Sequence, residues 1–402
     1  MWELIRANQR RSQLLVLAMA ALLVATGWAV GEALWAKPVP GVLAGLVVWL
    51  GLYFTAVGSG DKVLLAISRA QKIAKEDHPV LWNVVEEMAV AHGLPKAPAV
   101  YILDEDAPNA FAAGTSPERS VVVVTSGLLE RLTRDELQGV VAHELAHIKH
   151  RDVVYLTTMA VMVGAVVLLA ELARRALFYG GGSRRRTSSA SRGAAPIYLL
   201  ALVLILVAPL LARLMYLALS RRREYLADAG AAVATRYPEG LASALEKIEQ
   251  YWAPMPSANP VTAPMFIVNP LRKLASATET LFSTHPPTAE RIRILRSFGG
   301  TVSFAHYQEA FRRVTGRPVG LVPPAALRLP SAPVRAPEGD PRTPLERLRQ
   351  STAVLWRLSG YSTVLCPCGT TLRVPPVYRG QELPCPQCGV RHKVLAPSTA
   401  RV

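Results

Sequence analysis

The chain has 402 residues and a formal net charge of +16, and its composition is 51% hydrophobic and only 18% charged. This length allows two or three structural units, and the apolar content disfavours an ordinary soluble domain. Nucleic acid would attract the positive charge, but arginines beside anionic lipid give the same excess. We therefore expect the lipid bilayer as a partner and do not expect nucleic acid.

Four apolar stretches are candidate membrane spans, because each approaches the roughly 20 residues that cross about 30 Å of hydrocarbon. They cover residues 14–35, 39–57, 153–173 and 197–219. The first could instead be a signal peptide, but a second stretch follows after a short link, which favours a transmembrane hairpin over residues 1–60. Arginines before the first stretch place the N-terminus, and the domain that follows the hairpin, in the cytoplasm.

The second pair of apolar stretches conflicts with the same charge rule. Four arginines lie in the loop between them, residues 180–193, which would have to face the outside. A hairpin that enters the membrane without crossing it is therefore the alternative to two full spans. Both arrangements return the chain to the same side.

The segment between the two apolar pairs is predicted to fold as a domain with helices and a small sheet. Residues 84–92 have a helical pattern, and residues 99–103 and 121–125 have the pattern of strands. Thr133 and Glu136 form a capping box, which predicts a helix starting directly after Thr133. From 220 to 314 the pattern is again helical, so the predicted fold class is mainly α.

The helix that follows this capping box carries a metal-binding pattern, His-Glu-Leu-Ala-His, from His143 to His147. Histidines four positions apart on a helix are about 40° apart around the axis and about 6 Å apart along it, so both can bind one tetrahedral Zn²⁺. Glu144 then lies beside the ion, where it can take a proton from the attacking water and pass it to the leaving amine. A chance match on an amphipathic helix is the alternative.

A catalytic zinc site needs a third protein ligand, and Glu224 is the best candidate for it. Asp228 lies one turn later on the same helix face, where it could accept a hydrogen bond from a zinc-binding histidine. Glu171 is the second candidate, but its apolar surroundings argue against it. Without the histidine pair, Glu224 and Asp228 would be read as an ordinary solvated helix face.

Two further segments are candidates for the neighbourhood of the site. Residues 109–114, beginning with Asn109, follow a predicted strand and could form an edge to which an extended peptide adds, although such a segment is more often plain structure. His285 lies in a Ser-Thr-His-Pro-Pro turn before a predicted helix. It could stabilise an oxyanion or merely cap the helix, and the spacing alone favours the cap.

The C-terminal region is predicted to form a separate metal module. Residues 316–344 contain many prolines, which predicts a flexible linker, and the amphipathic stretch 345–358 follows it. All four cysteines come after this stretch, in two glycine-ended knuckles: Cys366, Cys368, Cys385 and Cys388. This pattern is typical of a zinc ribbon with a closed, structural Zn²⁺, although the first knuckle is one residue tighter than usual.

The alternative for the cysteines is a redox-active pair or unpaired thiols, which the matching glycines disfavour. Their position outside the main body also favours a reducing compartment. The module spans residues 345–402 and has few aromatic residues, so we expect it to contact a protein partner rather than nucleic acid.

In these segments the sequence resembles the HtpX-like membrane metallopeptidases, which are related to the CAAX prenyl endopeptidases. The resemblance extends from the N-terminal hairpin to about residue 297, and four segments carry it in this order: residues 109–114, 143–147, 221–228 and 285–291. It implies a gluzincin-like, membrane-anchored peptidase domain over residues 61–315 that acts on protein or peptide substrates.

The resemblance also implies roles for individual residues. Zinc would be bound by His143, His147 and Glu224, and Glu144 would be catalytic. Either Asn109 or His285 would contact the transition state. The implied function is quality control of misfolded or surplus membrane proteins, by an endopeptidase with several membrane spans in the bacterial inner membrane.

Three other functions remain open at this point. The first, a nucleic-acid-binding membrane protein, rests only on the charge and the ribbon. A prenyl-substrate CAAX endopeptidase is disfavoured because those relatives usually carry more spans than the four found here. A non-catalytic membrane adaptor that keeps zinc for its shape is disfavoured by Glu144, since a structural ion needs no base beside it.

Overall fold

The computed structural model describes residues 2–35, 37–179, 221–251, 253–259, 262–271, 285–318 and 320–394. Within these residues the protein is mainly helical, as predicted. The predicted span 197–219 and the loop 180–193 lie outside the described residues. The four-cysteine module and most of the segment that connects it to the preceding domain lie inside them.

Two long helices form the N-terminal hairpin, α1 (Trp2–Trp35) and α2 (Pro38–Ser68). They pack closely, since a side chain on Gly27 would collide with the carbonyl oxygen of Gly41. In the described part of the chain, α2 alone is long and apolar enough to cross a membrane, and only 11% of its most apolar window is buried. Two further apolar helical stretches, Val16–Ala25 in α1 and Asp152–Val166 later in the chain, are shorter.

One four-stranded sheet lies at the centre of the domain, in the order β1-β2-β4-β3. Its strands are β1 (Gln71–Lys72), β2 (Ala99–Leu103), β3 (Ala110–Gly114) and β4 (Ser120–Thr125). β2 and β4 run parallel, and β3 pairs antiparallel with β4 at one end of the sheet. The strands predicted at 99–103 and 121–125 are confirmed.

Helix α3 (Pro79–His92) packs beside the sheet and begins five residues before the predicted start at residue 84. His78 explains the earlier start, because its Nδ1 accepts a hydrogen bond of 3.1 Å from the backbone N–H of Leu81 and caps the helix. Proline at the first helical position also favours initiation there.

This cap predicts a loss of stability in mild acid. Burial, together with the charge of Arg342, lowers the pKa of His78 from 6.5 to about 4. Between these values the unfolded chain binds more protons than the folded one, so the free energy of unfolding falls as the pH drops from 6.5 to 4, by about 3 kcal/mol in total. Unfolding midpoints in detergent between pH 7.5 and 4.5 measure this loss.

His78→Asn is the matched control, since asparagine keeps a capping oxygen but does not titrate. Its unfolding midpoint is expected to depend less on pH than that of the unmodified protein. Identical pH profiles for the two proteins would rule out His78 as the titrating group.

The short helix α4 (Ser126–Arg131) leads into α5 (Arg134–Lys149), which carries the histidine pair. Helix α5 begins with the predicted capping box between Thr133 and Glu136, and every residue from 135 to 148 is buried. Around it pack α3, α7 (Arg221–Thr235) and α8 (Pro238–Gln250). After a tight turn, the chain continues as α6 (Asp152–Tyr179).

The C-terminal half of the described chain is built from short elements. The helices are α9 (Thr288–Arg296), α10 (Phe304–Thr315), α11 (Pro324–Leu327) and α12 (Pro344–Leu358), and the strands are β5 (Thr301–Val302), β6 (Ala332–Pro333), β7 (Ser362–Leu365), β8 (Thr371–Val374), β9 (Glu382–Pro384) and β10 (Arg391–Lys393). β5 pairs with β6, β7 with β8, and β9 with β10.

The segment predicted as a flexible linker instead packs on the domain. Residues 332–340, here called the C-terminal strap, contact the first turns of α5. Arg335 Nη2 donates hydrogen bonds of 2.7 Å to Asp135 and 2.6 Å to Gln138. Asp135 also accepts a hydrogen bond of 3.0 Å from the backbone N–H of Gly339. The prolines limit regular structure in this segment, but they do not prevent packing and hydrogen bonding.

Candidate active site

Three side chains from two helices meet in one buried site. His143 and His147 come from α5 and Glu224 comes from the first turn of α7, and their ligand atoms all lie within 4.8 Å of one another. The two Nε2 atoms are 3.2 Å apart. Glu224 places Oε2 at 3.7 Å from His143 Nε2 and Oε1 at 3.6 Å from His147 Nε2. The structure therefore brings together the three predicted zinc ligands.

These distances suit one metal ion. Two atoms that each bind a tetrahedral Zn²⁺ at about 2.1 Å lie roughly 3.4 Å apart, close to the spacings just given. Glu224 Oε2 is buried and has no hydrogen-bond partner among the described residues. The adjoining cavity measures about 10 Å³, roughly the space that one water molecule needs. The residues present therefore fit a small cation.

The charges around the site also suit a cation. Burial opposes protonation of His143, but the neighbouring carboxylates of Asp228 and Glu224 outweigh this and raise its pKa to about 9. The carboxylates thus attract positive charge to this point. The donor set consists of two imidazoles and one carboxylate, and Zn²⁺ is the metal that such a set favours.

Glu144 lies in the same cavity, one residue after the first histidine. Its side chain is buried, and Oε1 has no hydrogen-bond partner among the described residues. Burial raises the pKa of its carboxyl group, which makes it a stronger base than a solvated glutamate. Its position and environment suit the predicted proton transfer.

Asp228 lies behind His143, where the sequence predicted it. Its Oδ1 is 2.9 Å from His143 Nδ1, so the ring can donate its Nδ1 proton and keep the Nε2 lone pair for a metal. Arg291 donates to both oxygens of Asp228, at 2.8 and 2.7 Å, and is itself buried. Arg291 belongs to the segment 285–291 noted in the sequence, but the sequence predicted no role for it. The signal that could have revealed it is an arginine within the apolar pattern of α9.

Asn109 lies beside the site but turns its side chain elsewhere. Its Nδ2 donates a hydrogen bond of 2.8 Å to the carbonyl of Val268. The backbone N–H of Ile267 donates to the carbonyl of Ala110 at 3.0 Å, and Phe266 bridges to Phe111. The chain's own residues thus cover this part of the edge that was expected to receive substrate. The catalytic role of Asn109 stays a prediction.

The middle of β3 faces the cavity. Ala112 lines the cavity together with residues 264–267, whereas the backbone N–H of Gly114 donates to Thr157 Oγ1 at 3.0 Å.

His285 also reaches the cavity. Its Nε2 lies 3.7 Å from Glu224 Oε2, and the ring is buried. The N-cap of α9 is Pro287, so His285 does not occupy the N-cap position of that helix. The structure places His285 beside the candidate metal ligands, which leaves its catalytic role open as a prediction.

The four cysteines form a second cluster, whose Sγ atoms also lie within 4.8 Å of one another. Cys366 and Cys388 are 3.4 Å apart, and Cys368 and Cys385 are 3.8 Å apart. Sulfurs bound tetrahedrally to one Zn²⁺ at about 2.3 Å lie roughly 3.8 Å apart. Gly369 and Gly389 end the knuckles with φ of 87° and 75°, a backbone conformation that favours glycine. The cluster fits the predicted zinc ribbon.

Comparisons with known proteins match the chain to a peptidase family. Residues 75–298 match the family described as "Peptidase family M48". A "Protease HtpX homolog" of Dictyoglomus turgidum is 44% identical over 298 residues, which cover 74% of this chain and 95% of that protein. Another from Thermoanaerobacter pseudethanolicus is 41% identical over 299 residues, covering 74% of this chain and 97% of that protein. The crystal structure of S. mikatae Ste24p shares 18% identity with a TM-score of 0.38, covering 73% of this chain and 67% of that one.

Proposed function

This chain belongs to peptidase family M48 and is an HtpX-like metalloprotease, and we propose that it is a zinc-dependent endopeptidase that degrades misfolded or surplus membrane proteins. The observation that carries the proposal is the convergence of two histidines, Glu224 and Glu144 on one small cavity. A non-catalytic adaptor would not need a base in that cavity. Glu144 lies there, and its Oε1 has no hydrogen-bond partner among the described residues.

His143, His147 and Glu224 would hold the ion. Bound there, Zn²⁺ would polarise the scissile carbonyl and acidify water in the site. Glu144 takes a proton from the attacking water on Oε1 and passes it to the leaving nitrogen. His285, beside Glu224, would donate a hydrogen bond from Nε2 to the oxyanion. Ala112 and residues 264–267 confine the scissile bond and exclude bulk water.

The proposed location is the bacterial inner membrane. The exposed apolar surface of α2 supports an anchor, with Val39, Val47 and Phe54 all more than 60% exposed. The segments 153–173 and 197–219 would add two crossings. The arginines before α1 support a catalytic domain facing the cytoplasm.

The C-terminal module is proposed to bind a structural Zn²⁺ and to contact a protein partner or substrate. Its support is the cysteine geometry and the exposed apolar side chains of Leu365, Val377 and Val390. The proposed units are residues 1–60, 61–315, 316–344 and 345–402, with the third fixed to the second by the C-terminal strap.

The direct test is cleavage of an unfolded, unprenylated protein by the detergent-purified full chain. We expect fragments whose new termini lie inside the substrate sequence. Chelation should abolish cleavage, and added Zn²⁺ should restore it. Cleavage confined to prenylated C-terminal peptides would favour the CAAX activity instead, and no cleavage of either substrate would favour the adaptor.

A further inference from the structure

Asp152 lies behind His147 much as Asp228 lies behind His143. The His147 ring points Nε2 at Glu224 and Nδ1 at Asp152, whose Oδ2 is 3.1 Å away. We propose that Asp152 and Arg223 are positioning residues of the metal site: Asp152 orients His147, and Arg223 ties Asp152 to the helix turn that carries Glu224. This inference rests on the proposed zinc site.

The first step of the argument is the orientation of the imidazole. A carboxylate on Nδ1 fixes the ring tautomer, leaves the Nε2 lone pair for a metal and limits ring rotation. Asp152 is 2% exposed and His147 is 7% exposed, so little water competes for this contact. Both histidines of α5 thus have a buried carboxylate on the ring nitrogen that faces away from Glu224.

The second step is the tight turn that places Asp152. α5 ends at Lys149 and α6 begins at Asp152, and Arg151 between them has a φ of 59°. A non-glycine residue in the left-handed region costs energy, and such residues persist where the surroundings require them. Here the reversal returns the first turn of α6 to His147, which an extended connection would not do.

The third step is the pairing of Asp152 with α7. Arg223 Nε lies 3.9 Å from Asp152 Oδ1, and its guanidinium lies over the ring of Tyr155, 5.0 Å from the centroid. Glu224 is the next residue of α7. One arginine therefore connects the first turn of α6 to the first turn of α7, so a shift of either helix would move a zinc ligand or its supporting carboxylate.

The ion pair between Asp152 and Arg223 could instead have only a structural role. The following test distinguishes a structural role from a positioning role, because the two predict different results. Asp152→Asn keeps the size of the side chain and removes its charge. In the detergent-purified full chain, Zn²⁺ affinity measured by chelator competition is expected to fall 10- to 100-fold. Asp104→Asn, which changes an exposed carboxylate, is the control and should leave the affinity unchanged. The four-cysteine cluster is the same in every variant and serves as an internal reference.

Thermal unfolding with and without zinc gives the second measurement. Loss of the charge that pairs with Arg223 lowers the Tm of the chelated protein, and a positioning role in addition reduces the rise in Tm that Zn²⁺ produces. An equal loss of Tm in both states would show a purely structural role and overturn the proposal. If Asp152→Asn fails to fold, Arg223→Lys takes its place, since it keeps the charge but loses the planar stacking on Tyr155.

Failure of the proposed metal site and failure of the positioning role give different results. If the unmodified protein and a His143→Ala variant hold the same amount of zinc, the proposed metal site itself is wrong. If His143→Ala loses zinc while Asp152→Asn binds it as tightly as the unmodified protein, the metal site stands and the positioning role is wrong.

Discussion

Glu144→Gln is expected to lower the rate of cleavage of an unfolded protein by about 10²- to 10⁴-fold without loss of bound zinc. The amide has the size of the carboxylate but cannot accept the proton of the attacking water. Glu144 is not one of the three side chains grouped as metal ligands, so the metal should remain. Initial rates of fragment release and metal analysis of the same preparation measure the two effects.

Glu309→Gln on α10 is the control, because it makes the same chemical change at an exposed position of the same domain. It should cleave at the unmodified rate. Equal rates for Glu144→Gln and the unmodified protein would eliminate Glu144 as the base. Loss of zinc from Glu144→Gln would instead make Glu144 a contributor to metal binding.

Glu224→Gln is expected to remove about one zinc ion per chain and to reduce cleavage to the background of the chelated protein. The substitution replaces the only anionic member of the described ligand trio with a neutral amide, which weakens binding of a divalent ion. Metal content by mass spectrometry, measured after dialysis against a weak chelator, reads out the change.

Cys368→Ser is the complementary variant, since it should release the other zinc ion and leave the chemistry of the cavity intact. The two variants together assign each ion to its site. Undiminished zinc content in Glu224→Gln would mean that another residue supplies the third ligand. Glu171 is the residue to change next.

The parts of the site that the sequence predicted depend on short-range signals. A capping box and a four-residue histidine spacing are local properties, so they locate α5 and the orientation of its ligands. Glu224 and Asp228 could be assigned to the same site because they are one helical turn apart, which places both on one face of their own helix. Two of the four strands of the sheet, β2 and β4, followed from apolar and β-branched runs in the same way.

The parts that the sequence did not predict depend on how distant segments pack. Asp152 reads as an acidic residue at the start of an apolar helix, and only the turn at Arg151 brings it to His147. The edge beside Asn109 looked open because the segment that covers it comes some 160 residues later, at Val268. Proline content likewise predicted that the C-terminal strap has little regular structure, but it did not predict the contacts of the strap.

The C-terminal strap also sets an order of events during synthesis. Arg335 bonds to Asp135 across 200 residues, and ribosomes add about 5–20 residues per second. The first turn of α5 therefore lacks these hydrogen bonds for roughly 10 to 40 s after it has been made. By then both apolar segments between α5 and α7 have left the ribosome. A nascent protease whose chain ends before residue 335 thus has a less firmly held metal-binding helix than the finished protein.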